Sequence, residues 1–195
     1  MRQGGDTSGL DVDIKLIAIV VTIVLAVTGY LYNYSQNLVS ERRKERLSLL
    51  NRQLNHFYGP LYILTQSSRA SLVTLRQRLG GVQVFKDANN PTEAELAEWR
   101  VWVKAVLMPI NEKIEAVIVD NAHLIREHEM PRCLLTFMSH MSTYRAILSK
   151  WAADDFTEYL SPIEYPKDLH DYAAQSYQAI KDEQLQLLGK RRQAG

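Results

Sequence analysis

The sequence predicts an all-α protein: an N-terminal transmembrane helix followed by a cytosolic antiparallel helical bundle of about four helices. Three observations predict it. Ile14 to Tyr32 is almost wholly Ile, Val, Leu and Ala. Leucines and aromatics further along the chain recur with three-four spacing, the period of a helix with one apolar face. Period-two alternation, the mark of a half-buried strand, is nearly absent.

The apolar run is interrupted only by Lys15, Thr22, Thr28 and Gly29. At a rise of about 1.5 Å per residue it is long enough to cross the roughly 30 Å hydrocarbon core of a bilayer. A cleavable secretory signal has a basic start, a shorter apolar core and a small-residue cleavage site, whereas this run follows Asp6, Asp11 and Asp13 and ends among Tyr30, Tyr32 and Tyr34. Tyrosines at that level fit an interfacial aromatic belt, and Lys15 is close enough to the end to reach the headgroups. Residues 14–34 are therefore expected to form the span, with residues 1–13 a short extracytoplasmic terminus. Arg42, Arg43, Lys44 and Arg46 flank its C-terminal side against Arg2 on the other, so the remainder is expected in the cytoplasm of a bacterium, held at the inner (plasma) membrane by a single pass.

Beyond the span, about 155 residues remain, enough for one domain with a real core. A single cysteine, Cys133, excludes an intramolecular disulfide framework and a multi-cysteine zinc site, and it is read as a small buried apolar residue. The net charge of +1 conceals a strong segregation. From Glu41 to Arg78 there are eight basic residues against two acidic, and from Lys86 to Gly189 ten against seventeen. The basic juxtamembrane residues Arg42, Arg43, Lys44 and Arg46 are expected to face anionic lipid headgroups, each worth about 1 kcal/mol near the surface.

The first cytosolic helix is expected over residues 35–80, with Leu47, Leu50, Leu54, Phe57, Leu61 and Leu64 on its inner stripe and Leu72, Leu75 and Leu79 on a slightly shifted line. Gly80-Gly81 ends it. Gly59-Pro60 interrupts it, because proline lacks an N–H and clashes with the carbonyl of His56, so a kink or short break is expected there. Residues 81–91 read as a loop, with Val82, Val84 and Phe85 a brief extended piece. Thr92 and Glu95 have capping-box spacing and start the next helix, whose buried face is expected at Leu96, Trp99, Val103, Val106, Ile110, Ile114, Val117 and Leu124, with Pro109 bending rather than ending it. Pro131 opens a third helix with Leu134, Phe137, Met141, Tyr144, Leu148 and Trp151 inward. Pro162 and Pro166 punctuate a loop before a fourth, from Lys167 to Leu188, with Leu169, Tyr172, Ile180 and Leu187. Residues 92–189 thus complete the bundle, and 190–195 form a basic tail.

No catalytic residues, metal ligands or cofactor site are assigned. His123, Glu127, His128 and Glu129 resemble a metal set only superficially. Histidines five apart on a helix lie about 140° apart around its axis and cannot both reach one ion; the cluster reads as a solvated helix end. Asp154, Asp155 and Glu158 lack a partner histidine, lysine or glycine-rich turn, and His56, His140 and His170 are isolated. There is no phosphate-binding glycine loop and no nucleophile elbow, so enzymatic activity is not expected.

Three non-catalytic features remain. Ala18, Thr22, Ala26 and Gly29 form a strip of small residues along which membrane helices can approach closely. Counting on from Gly29 in three-four steps leads to the leucine stripe at Leu47, a face that either joins parallel copies or faces the bundle's own core. Phe57, Tyr58, Gly59, Pro60 and Tyr62 form an aromatic-rich turn, read as a bend into the bundle or as a recognition surface. Arg69, Arg76 and Arg78 offer an alternative: a membrane-tethered sensor of an anionic ligand, a nucleotide or nucleic acid. Nucleic acid is disfavoured because no base-stacking aromatics interleave with these arginines and the distal half is acidic.

The element Leu54-Asn55-His56-Phe57-Tyr58-Gly59-Pro60-Leu61, following a membrane span and a basic helix, resembles small bacterial single-pass membrane proteins with a Leu-x-x-Phe-Tyr-Gly-Pro-Leu element. In layout alone the chain resembles membrane effectors of bacterial antiviral defence systems such as retrons. The resemblance covers roughly residues 13–65 and implies a membrane-proximal helical module and no catalytic residues. The expected function is non-enzymatic: a membrane-anchored helical effector that acts by self-association or by binding a cytosolic protein partner, and that perturbs the membrane in antiviral defence.

Overall fold

A computed structural model describes residues 7–79, 84–85, 87 and 90–189, with the side chains of 7–15 and 17–20 outside the description. It is all-α, and no strand occurs among the described residues. The chain divides into two compact units, Met1–Leu47 and Ser48–Gly195.

Within the first unit, α1 (Thr7–Gln53) is helical throughout up to the unit's boundary. Thr28 Oγ1 donates to the Val24 carbonyl at 2.7 Å and Ser35 Oγ to the Tyr32 carbonyl at 2.8 Å, so these hydroxyls are satisfied inside the helix itself. Among the described residues no helix is long and apolar enough to cross a membrane. The expected span includes residues 14, 15 and 17–20, whose side chains lie outside the described ones, and with them Ala18 and Lys15.

The second unit is a four-helix bundle. Its first helix is the end of α1, a π-helical turn (Leu54–Tyr58) and α2 (Gly59–Arg78) in unbroken sequence. The second is α3 (Glu93–Trp102), another π-turn (Val103–Leu107) and α4 (Met108–Asp120). The third is α5 (Arg132–Ala152) and the fourth α6 (Leu169–Leu187). α2 packs on α4 and α6, and α5 packs on the same two, closing a ring around the core.

The two π-turns answer what the sequence left as a kink at Gly59-Pro60 and a bend at Pro109. In each, the residue before the proline donates its N–H five residues back, Gly59 to the Leu54 carbonyl and Met108 to the Val103 carbonyl. The wider turn removes the clash between the proline ring and the carbonyl four residues earlier, so each helix runs on instead of breaking. It also adds a residue to the turn and rotates everything downstream. In the second helix the buried line is Leu96, Trp99, Val103, Leu107, Met108, Asn111, Ile114 and Ile118, with Ile110 and Val117 half-buried against it and Val106 half-buried beside Leu107. In the first helix Thr65 and Ser68 are buried, and Leu64 packs half-buried on the same core.

The leucine stripe from Leu50 onward faces the bundle interior. Leu50, Phe57, Tyr58 and Leu61 are fully buried and Leu54 nearly so, which removes them from any seam between copies. The capping box at the start of α3 is complete: Glu95 N–H donates to Thr92 Oγ1 at 3.3 Å, and Thr92 N–H donates to the Glu95 carboxylate at 2.8 Å. Val82, Gly80 and Gly81 lie outside the described residues; Phe85 is buried, edge-on to Trp99 and Tyr159.

The second helix stops at Asp120, earlier than its apolar pattern suggests, and a short 3-10 turn Ala122–Leu124 follows. There Gln53 Nε2 donates to the Leu124 carbonyl at 2.9 Å, both groups buried. The third helix ends with Asp155 N–H donating to the Lys150 carbonyl at 3.0 Å around Asp154, which takes a left-handed φ of 59°. The loop that follows is held by indole donors, Trp151 to the Glu158 carbonyl at 2.7 Å and Trp99 to the Tyr159 carbonyl at 2.8 Å.

Candidate functional site

The polar groups of the expected metal-like cluster are dispersed. His123, Glu127, His128 and Glu129 are exposed, and among the described residues no group of three or more His, Cys, Asp or Glu is placed to hold a metal ion. Glu127 instead accepts hydrogen bonds from two tyrosine hydroxyls, Tyr58 at 3.3 Å and Tyr172 at 3.2 Å. Asp155 accepts from the Thr157 N–H and hydroxyl, which with nearby Lys150 holds its carboxyl below the usual range. Burial pushes the Cys133 thiol up to about 11, so it is no thiolate at neutral pH.

The aromatic turn is built into the core. Phe57 meets Tyr58 edge-on at 4.7 Å, and Tyr62 stacks on Tyr177 at 5.1 Å. The Tyr58 ring is fully buried, and its hydroxyl accepts the Arg126 N–H at 3.0 Å while donating to Glu127. Tyr58→Phe is expected to cost about 1–2 kcal/mol, because the Arg126 N–H and the Glu127 carboxylate each lose a partner in a partly buried place; equilibrium urea unfolding measures it.

The arginines of the alternative anion site stand in separate surroundings. Arg78 pairs with Glu98 at 3.2 Å and lies over the Trp102 ring. Arg76 Nε is buried without a hydrogen-bond partner among the described residues. Arg69 is exposed, and it borders a cavity. Arg42, Arg43, Lys44 and Arg46 are all exposed, with Lys44 paired to Glu41 at 2.8 Å.

That cavity, of about 110 Å³, was not foreseen from the sequence. The register shift after the two prolines makes it. It brings Ser68 opposite Asn111, joined by a 3.2 Å hydrogen bond, and sets Val103 and Leu107 of the second π-turn into the wall. His140 and Tyr144, one helical turn apart on α5, form another wall, and Tyr165 and His170 complete it. Tyr165 sits between two imidazoles, edge-on to His140 at 5.6 Å and stacked on His170 at 5.4 Å.

His140 Nδ1 lies 2.6 Å from the Ile163 carbonyl, an acceptor only, so Nδ1 carries the proton and Nε2 is left with a lone pair. Burial lowers the His140 pKa against that hydrogen bond; burial, then Arg69, lowers that of His170. Both are therefore neutral in the fold at pH 7. With folded pKa values below the ordinary 6.5, the unfolded chain takes up protons first as the solution is acidified. Stability is expected to be full above about pH 6.5 and to fall as pH drops through the two lowered pKa values. Urea midpoints between pH 7.5 and 5 measure the slope, and His140→Gln with His170→Gln should flatten it.

The fold and these sites define an all-α helical bundle with a recess lined in part by aromatic and imidazole rings. No family model matches the chain, and no match to it was found among curated proteins or solved structures.

Proposed function

We propose that this is a membrane-anchored, non-enzymatic helical protein that works at the inner face of the bacterial plasma membrane by association with itself or with a cytosolic partner. The observation that carries the reading is the exposed apolar surface of α1. Val21, Val24, Leu25 and Leu31 are each 49–66 % exposed, a state that water penalises and lipid does not. A helix that is apolar around most of its circumference belongs in a core or a bilayer. At about 100° per residue, the large side chains Ile23, Val24, Val27, Tyr30 and Leu31 share one broad side, while Thr22, Ala26 and Gly29 fall together on the other. The broad side suits acyl chains and the narrow one a second helix.

The four exposed basic residues Arg42, Arg43, Lys44 and Arg46, close behind the apolar run, support the cytoplasmic placement and a contact with anionic headgroups. Packing of α5 against both α4 and α6 by short connections supports an antiparallel course for the bundle. The likeness in layout to membrane effectors of antiviral systems adds membrane perturbation as the output.

The test is fractionation followed by crosslinking in native membranes. The full chain should stay with the membrane through alkaline extraction, and Val24→Arg, costing about 2.5–3.5 kcal/mol of insertion, should release it. A Cβ at Gly29 meets nothing within 4 Å, so Gly29→Leu leaves the chain's own packing alone and should reduce a crosslinked homo-oligomer several-fold. A full-length chain that remains in the aqueous fraction without detergent overturns the anchor. A chain that is strictly monomeric and captures no partner overturns the association.

A further inference from the structure

The cavity inside the bundle carries an inference that does not depend on the membrane reading. Two polar atoms belonging to its walls, Tyr165 Oη and His170 Nδ1, are buried without a hydrogen bond of ordinary geometry among the described residues, although the Ser68 side chain and the Thr65 backbone stand near enough to these two residues to act on them. Buried polar atoms are ordinarily satisfied, and two orphans on one recess call for a third party that meets them both.

The charge around them selects its sign. The part of the chain from Lys86 to Gly189 is rich in acids, yet no Asp or Glu lines the recess. The one full charge in its lining is Arg69, which makes no ion pair among the described residues and lowers the His170 pKa, while Asp171, beside His170 and outside the lining, raises it more weakly. A cation on the wall, two neutral imidazoles and a phenol that can donate form a set suited to an anion.

Shape selects the rest. Leu72, Trp99 and Val103 give the recess a largely apolar lining, which a cluster of waters would leave unmatched. Its volume of about 110 Å³ is of the order of the ~150 Å³ space that holds a benzene ring in an apolar protein interior. We propose that this cavity binds a small planar molecule with a single anionic group, of the class of aromatic carboxylates, its ring against Trp99, Leu72 and Val103 and its carboxylate toward Arg69, Tyr165 and His170. The π-turn at Val103–Leu107, which sets two residues into the wall, is then part of the site as well as a device for accommodating Pro109.

The test uses the full chain, in lipid nanodiscs or in aqueous buffer according to the fraction in which it is recovered, with histidine-labelled rings read by NMR, the His140 and His170 signals assigned from His140→Gln and His170→Gln. Benzoate should shift both signals saturably, and benzyl alcohol, which keeps the ring but carries no charge, should bind at least ten-fold more weakly. Arg69 is exposed, so Arg69→Gln keeps the fold and should abolish the preference for benzoate. Signals that no probe moves mean that the recess holds water only and overturn the proposal. Equal binding of benzoate and benzyl alcohol, or a benzoate affinity unchanged in Arg69→Gln, overturns the anionic class.

Discussion

Phe57→Ala is expected to destabilise the bundle by about 3–5 kcal/mol, the range for emptying a fully buried aromatic site. The ring is wholly enclosed and meets Tyr58 edge-on, so truncation loses both the transfer of the side chain from water and the contacts around the void. Against the ~5–15 kcal/mol total of an ordinary domain this is a large fraction, and it should appear as a shift of more than 1 M in the urea midpoint. Phe57→Leu, which fills most of the space, should cost much less. The outcome also separates the two readings of the aromatic turn: a recognition surface would lose binding and keep its stability, whereas a core element loses its stability.

Gly59→Ala should cost about 2–3 kcal/mol, against the usual sign for such an exchange. Gly59 has an ordinary helical φ of −66°, and alanine in a helix interior is normally favoured over glycine by about 1 kcal/mol. Here the widened turn brings the Leu54 carbonyl oxygen to the place a Cβ would occupy, and that oxygen already accepts the Gly59 N–H. Backbone cannot step aside cheaply, so the turn must open or the helix must shift. Gly29→Ala is the internal control, since nothing surrounds a Cβ there and the exchange should be neutral or stabilising. Thermal unfolding of both variants measures the contrast.

Most of the helices were legible because their punctuation is chemical. Thr92 with Glu95 opens α3 as a full capping box, and Leu134, Phe137, Met141, Tyr144 and Trp151 keep one face of α5 buried without interruption. Registry was legible only as far as the first proline in each helix. A 3.6-residue period, counted straight through Pro60 and Pro109, puts Leu64, Val106 and Ile110 at the centre of the buried face, whereas the wider turns move the centre to Thr65, Ser68, Leu107 and Asn111 and leave those three half-buried. The signal available was the prolines themselves: deep in an apolar-periodic helix, proline forces either a break or an inserted residue. His140 and His170 were read as isolated because they are thirty residues apart in the chain, and only the packing of α5 beside α6 brings both rings onto Tyr165. The apolar run, by contrast, was legible in composition, and the strip Ala18, Thr22, Ala26 and Gly29 is described structurally from Thr22 onward.

The paired π-turns set this bundle out of phase with its own sequence. Each works as a one-residue frameshift written into a helix: upstream of it the apolar positions count one way, downstream they count from a new origin. Removing a single residue near Ala105 would let the wide turn close to an ordinary one, bringing the two counts back into step with Ile114 and Ile118 still inward, but it would return the Pro109 ring to the carbonyl four residues before it. In this fold, then, the surplus residue and the proline are a matched pair, and either one alone is what the helix accommodates badly.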